Sequence, residues 1–269
     1  MQAVLNGWME ERPMQLITSK DNAKLRAVRE LVRSKKERQE ASAFVMEGVR
    51  ALSALADGSA LSQYKLREVW VSADSPERAR DFTGPVYAVA HDVMEQLSDC
   101  RTSQGILGVV EYTPEAPVIN PDQGNYLLVD GLTDPGNLGT LIRSAVAFGF
   151  AGVFLYGDTV EVFNPKTVRA TMGALPFSRH WKTDGTIFQM LEKNGYELIS
   201  TVIHGGEPLH KVKFGPKNVL VIGNEAHGVS EAVQQRAARH LSIPMSGNVE
   251  SLNAAVAGSI CMFSMQRSS

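Results

Sequence analysis

The sequence predicts an α/β protein in two parts: a small N-terminal α/β domain and a C-terminal α/β domain built on a parallel sheet. Three observations carry that reading. Strand-like and helix-like segments alternate along most of the chain. The apolar runs of the second half are nearly continuous, as in strands buried on both faces of a parallel sheet. Between the halves, Thr113 to Gly124 holds Pro114, Pro117 and Pro121 and ends in glycine, the composition of a linker. The expected organisation is a loose leader (1–15), a first domain (16–112), a linker (113–124) and a second domain (125–269). A length of 269 residues agrees with two domains.

Each element has its own signal. Asp21 is placed to cap a helix running to about Arg38, with Leu25, Val28, Leu31 and Val32 as its apolar stripe. Phe44 to Gly48 reads as a strand turning into a helix that carries Leu52 and Leu55. Glu68 to Ser72 is a strand, Glu77 to Asp81 a helical turn, and Val86 to Val89 a further strand. Asp92 caps a short helix through Leu97, and the strand Ile106 to Tyr112 closes the unit. In the second domain the strand Tyr126 to Asp130 precedes a helix from about Asn137 to Phe148, which Gly149 ends as a C-cap. Gly152 to Tyr156 is the next strand. Pro165 suits the first turn of a helix reaching about Met172, before Gly173. Thr186 to Lys193 is helical, and Asn194-Gly195 turns the chain into the strand Tyr196 to Val202. The strand Val219 to Ile222, a helix from Ser230 to Arg239, the strand Leu241 to Ile243 and a final helix from Ser251 complete the series. Helices are expected on both faces of the sheet.

Composition narrows the function. No apolar run is long enough for a membrane span, and Met1 to Pro13 lacks the apolar core of a signal peptide, so a soluble cytoplasmic protein is expected. Cys100 and Cys261 stand far apart and make no metal or redox spacing. The formal net charge is −2, which gives no global attraction to nucleic acid. The charge is uneven, however. Lys20, Lys24, Arg26, Arg29 and Arg33 crowd one predicted helix, followed by Lys35, Lys36 and Arg38. A solvated helix face accounts for this more readily than a phosphate-binding patch does.

Loops at the carboxyl ends of parallel strands are where such folds hold ligands. Three stand out: 130–145, 222–228 and 243–257. In the first, Gly136 and Gly139 permit close backbone approach, and Asn137 offers both donor and acceptor. Arg143, six residues on, is expected to present a guanidinium to the same cleft, although an ordinary surface arginine fits the spacing equally. Gly223 lets the second strand end bend, and Glu225 follows it. Ser251 and Asn253 bracket Leu252 and suit either helix capping or ligand contact. A dinucleotide fingerprint would need G-x-G-x-x-G, which this spacing does not provide, and no P-loop is present.

On these residues the chain resembles the SpoU (TrmH-like) family of RNA 2′-O-ribose methyltransferases, within the SPOUT superfamily. The motifs occur in order: Asn137 to Ala145, Ile222 to Gly228, and Ile243-Pro244-Met245 with Ser251 to Ala257. Ala226-His227 departs from the many members that carry glycine after the glutamate. The resemblance implies a trefoil-knotted α/β catalytic domain that binds S-adenosylmethionine through Thr201, Gly223, Ile243 and Leu252, mostly by backbone groups. It implies a homodimer with the site near the subunit interface. Asn137, Arg143, Glu225, Ser251 and Asn253 match the family's catalytic positions, and no metal is required.

Phe44 to Gly48 and Gln104 to Gly108 resemble the family's N-terminal substrate-binding module. That turns the basic helix into an expected RNA contact through Lys20, Lys24, Arg26, Arg29 and Arg33, and it favours 23S rRNA as substrate. A tRNA 2′-O-methyltransferase, a non-catalytic RNA-binding ribosome-assembly factor and a nicotinamide-dependent enzyme are the competing readings. In-line transfer to a ribose 2′ oxygen needs orientation and loss of the hydroxyl proton. Arginine stays protonated, so Arg143 is expected to bind the neighbouring phosphate and stabilise charge rather than act as a base.

Overall fold

The structure is a computed structural model that describes residues 14–57, 60–100, 102–120, 124–247 and 249–266. Residues 1–13 of the expected leader and residues 121–123 of the expected linker lie outside this range. The chain forms two compact units. The first comprises the residues up to Pro114 together with Phe163–Pro176, and the second comprises Glu115–Val162 and Phe177 onward.

The first unit holds a five-stranded mixed sheet. Its strands are β1 (Met14–Ile17), β2 (Ala43–Glu47), β3 (Tyr64–Ser72), β4 (Val86–Val89) and β5 (Ile106–Tyr112), in the order β1-β4-β3-β5-β2. The β1–β4 and β4–β3 pairs are parallel, whereas β5 runs antiparallel to β3 and β2. Met14 and Gln15 therefore belong to a paired strand, not to a leader. Helices α1 (Ala23–Arg33), α2 (Lys35–Ala41), α3 (Val49–Ser53) and α4 (His91–Leu97) accompany the sheet. One core cluster includes Leu25, Val28 and Leu31 of α1 together with Trp70, Tyr87, Leu97 and Leu107. The apolar stripe read for α1 is thus its buried face.

The helix expected from Asp21 to Arg38 is two helices. Asn22, not Asp21, is the cap, accepting from the Lys24 amide at 2.9 Å. Ser34 then leaves helical geometry (ψ 118°), and its hydroxyl accepts from the Glu37 amide to begin α2. Arg38 is buried and donates to the carbonyls of Leu31 (2.7 Å) and Val32 (3.2 Å), which satisfies the end of α1. The helix α6 (Pro165–Ala170), which chain position placed in the second domain, belongs to this first unit. Phe163, just before it, stacks on Phe44 with ring centroids 4.6 Å apart.

The second unit holds a seven-stranded sheet: β6 (Tyr126–Asp130), β7 (Gly152–Tyr156), β8 (His180–Lys182), β9 (Glu197–Thr201), β10 (Glu207–Pro208), β11 (Asn218–Ile222) and β12 (Arg239–Ser242). The order is β10-β12-β9-β11-β6-β7-β8, and every pairing is parallel. The short strands β8 and β10 carry too few residues to show a pattern in the sequence. Helices α5 (Pro135–Ala147), α7 (Thr186–Lys193), α8 (Glu231–Gln234) and α9 (Ala254–Gln266) complete the unit. α8 is one turn rather than the ten residues expected, because Ala238 already donates to the Leu198 carbonyl to bring the chain onto β9. α9 starts at Ala254, three residues later than expected, where Asn253 caps it.

Side chains alternate across β11. Val219 and Val221 pack with Val233 of α8 and Ile187 of α7. On the other face Ile222 meets α9, where a Cβ added at Gly258 would lie 2.4 Å from Leu141 of α5 and 3.2 Å from Ile222. The chain therefore leaves β6 toward one face, through α5, and leaves β11 toward the other, through α8. A crevice opens between adjacent strands whose connections diverge in this way. No helix among the described residues is long and apolar enough to cross a membrane.

Candidate active site

A cavity of about 460 Å³ lies at the carboxyl ends of β9, β11 and β12, a size typical of small-molecule sites. Thr201, Gly223, Ile243 and Leu252 all line it, and so do Glu225, Ser251 and Asn253. Three loops distant in sequence thus share one space. Gly223 is required by close backbone approach: a Cβ there would fall 2.1 Å from the Gly228 carbonyl carbon and the Val229 nitrogen. Beyond it Asn224 and Gly228 exchange backbone hydrogen bonds of 2.9 Å, closing the loop on itself.

A chain of hydrogen bonds joins the loops. The Glu225 carboxylate accepts from the Asp134 amide (3.1 Å), from the amide and hydroxyl of Thr133 (3.4 and 3.3 Å) and from the Asn137 side-chain amide (3.0 Å). Asn137 in turn accepts from the Asn253 amide at 2.8 Å. The Asn253 carbonyl oxygen accepts from the backbone of Ala255 (2.9 Å) and Val256 (3.1 Å) at the start of α9. Both carboxylate oxygens of Glu225 are thus engaged by donors of the first loop. Partial burial pushes its pKa up. The Asn137 amide and the backbone N–H groups of Glu225, Thr133 and Asp134 outweigh that and hold it below its ordinary value of 4.5.

Thr133, Asp134 and Asn224 were not singled out from the sequence. Asp134 caps α5 by accepting from the Asn137 amide at 2.7 Å. Asn224 accepts from the Ala226 and His227 amides and donates to the Gly131 carbonyl at 2.7 Å, fastening the second loop to the first. An Asx turn is the signal that marks Asn224, since asparagine just past a strand end favours one.

Arg143 departs from expectation. It is exposed on α5, does not line the cavity, and makes no ion pair with the described residues. Six residues at about 100° each turn it roughly 120° away from the direction of Asn137 on the helix. The basic helix also divides. Lys20 pairs with Asp92 at 2.6 Å, Lys24 lies over the Tyr87 ring and bonds its hydroxyl, and Arg29 donates to Gln96 at 2.7 Å. Arg26 and Arg33 are exposed without such partners, two turns apart on one face.

The depressed pKa of Glu225 has a consequence for stability. A carboxylate held below its unfolded value contributes stability that is fully present above that value and is lost as pH falls through the folded value. Equilibrium unfolding of the wild type and Glu225→Gln at several pH values is expected to show a constant gap near neutrality. That gap should shrink progressively once pH drops below 4.5. A gap independent of pH would mean that the carboxylate charge is not what the donors hold.

Comparison with known proteins shows the family. Residues 124–263 match the SpoU rRNA Methylase family, and residues 22–108 match the MRM3-like substrate binding domain. The chain is 30% identical over 257 residues to the 23S rRNA (guanosine(2553)-2′-O)-methyltransferase RlmP of Bacillus subtilis, covering 94% of this chain and 100% of that protein. It is 30% identical over 266 residues to the 23S rRNA (uridine(2479)-2′-O)-methyltransferase of Streptomyces viridochromogenes, covering 93% of this chain and 91% of the other. Among solved structures, the AdoMet-bound rRNA methyltransferase of Sinorhizobium meliloti superposes with a TM-score of 0.82 at 28% identity, covering 95% of this chain and 98% of that one. AviRb of Streptomyces viridochromogenes in complex with AdoMet gives 0.80 at 27% identity, covering 91% and 97%. The chain belongs to the SpoU rRNA methylase family.

Proposed function

We propose that this protein transfers the methyl group of S-adenosylmethionine to a ribose 2′ oxygen of 23S rRNA in the cytoplasm. The observation that carries the reading is the single cavity built from three loops and tied together through Asn137, Glu225 and Asn253. Relatives named as 23S rRNA 2′-O-methyltransferases, similar along nearly the whole chain, support the substrate class. Solved relatives bound to AdoMet support the cofactor. The cavity fits it: it is roomy and part apolar, and its wall includes Gly223, where no Cβ is admitted.

When bound, S-adenosylmethionine supplies a methyl group activated by its sulfonium. Thr201, Gly223, Ile243 and Leu252 would hold it. Asn137 and Asn253, locked to each other, would orient the ribose, and the exposed Ser251 hydroxyl is free to bond the 2′ oxygen. Orientation of this kind accounts for a large share of such a barrier. Arg143, turned outward, would bind the phosphate beside the target ribose outside the cavity, where its planar fork suits two phosphate oxygens. Labelled S-adenosylmethionine is expected to mark unmodified 23S rRNA at a ribose. Arg143→Ala should lower kcat/KM about a hundredfold, with Arg143→Lys recovering only part of it. Label in tRNA alone would overturn the substrate, and full activity of Arg143→Lys would remove the fork.

The first unit is proposed to bind the RNA, with Arg26 and Arg33 as its backbone contacts and Lys20, Lys24 and Arg29 partly committed to holding the fold. Replacing both Arg26 and Arg33 by alanine should weaken RNA binding and flatten the slope of log affinity against log salt by between about one and two. An unchanged slope would place the contacts elsewhere.

The protein is further proposed to be a homodimer with a knotted second unit. Val256, Ile260 and Phe263 form an exposed apolar stripe on α9, spaced four and three residues apart, and Phe263 lies beside Phe148. Such a stripe suits a self-complementary interface. The knot is proposed from the resemblance of the motifs; the insertion of β11 between β9 and β6 is compatible with it. A crystal structure is expected to show a two-fold dimer across this stripe and a threaded tail; a monomeric lattice with the stripe in solvent would count against the dimer.

A further inference from the structure

We propose that Gln234 reads the 6-amino group of the bound adenine and so sets the preference for an adenosine-based donor. This rests on assigning the cavity to S-adenosylmethionine.

Most polar side chains on the cavity wall are already spent. The Thr201 hydroxyl donates to the Val221 carbonyl at 2.9 Å. The amide of Asn224 is used within its own loop and on Gly131, and the groups of Glu225 and Asn253 bond Asn137 and nearby backbone. Among the described lining residues, Ser251, His227 and Gln234 keep a side-chain polar atom with no bond to the described residues, and Asn253 retains one amide hydrogen. Of the first three, Gln234 is the one held in place. Its Nε2 donates to the Val229 carbonyl at 2.7 Å. A carbonyl can only accept, so this bond fixes which end of the amide is which and leaves Oε1 as an oriented acceptor.

The place of Gln234 selects the partner. It ends α8, whose Val233 packs on the face of Val219 and Val221. The Asn137–Asn253 pair is carried by α5 and the start of α9, on the face of Ile222. Gln234 therefore meets the cavity from the side opposite the groups that orient the ribose. The methyl-bearing end of the cofactor must point toward those groups, so its base lies at the other end. There Val229, whose carbonyl holds Gln234, offers apolar contact, which suits the flat face of a purine. On the edge of adenine the 6-amino group is the donor that an isolated acceptor would pair with.

Calorimetric titration of the full chain with S-adenosylhomocysteine and S-inosylhomocysteine tests this, since inosine presents a carbonyl in place of the amino group. The wild type is expected to prefer the adenosyl compound about tenfold. In Gln234→Met, close to isosteric, and in Gln234→Leu, the ratio should fall to about one, chiefly through weaker adenosyl binding. A preference that persists in both variants, or an equal weakening of both ligands, would overturn the role of Gln234 while leaving the cavity assignment standing. Failure of the wild type to bind either ligand would overturn the cavity assignment, and the inference with it.

Discussion

The carboxylate of Glu225 is the point on which the active end of the sheet depends. It is one charge surrounded by donors from the loop after β6, and it orients Asn137, which orients Asn253, which caps α9. Each bond is modest by itself, at about one kcal/mol net for a typical pair. Their value lies in connection: the three loops come from residues nearly 120 positions apart, and no local preference of any one loop would bring it to the others. The carboxylate is ionised across the physiological range because its donors favour the charged form.

The sheet supplies the frame for that chain of bonds. β11 stands between β9 and β6, so the ends of three strands reach the same edge. The connections from β6 and β11 leave toward opposite faces and keep the crevice open. At the far ends of the same two strands, Asn218 donates to Asn125 through both backbone and side chain, at 3.2 and 2.7 Å, and this buried pair fastens β11 beside β6. Order at one end and an open cleft at the other are two results of the same strand pairing.

In the first unit, charge is divided between holding the fold and meeting solvent. Arg38 is consumed by the end of α1, and Lys20, Lys24 and Arg29 reach neighbours on other elements, which leaves Arg26 and Arg33 as open guanidinium groups. A count of basic residues along the chain cannot make that division, because the partners Asp92, Tyr87 and Gln96 are more than sixty residues away.

The sequence by itself determined the elements whose signal is local. The buried strands Val86–Val89, Ile106–Tyr112, Tyr126–Asp130 and Gly152–Tyr156 coincide with their apolar runs, and the three motif loops were legible from glycine and asparagine at strand ends. Thr201, Gly223, Ile243 and Leu252 lie on one cavity. Tertiary structure alone decided the rest. Helix α8 yields to the pairing of β12 with β9, the α1–α2 helix breaks where Ser34 and Arg38 find better hydrogen bonds, and α6 packs with the first unit. The direction of Arg143, the saturation of Glu225 and the free acceptor of Gln234 also depend on where distant groups lie in space. Periodicity and capping act over a few residues and can be read along the chain, whereas a hydrogen bond between loops exists only once the sheet has brought them together.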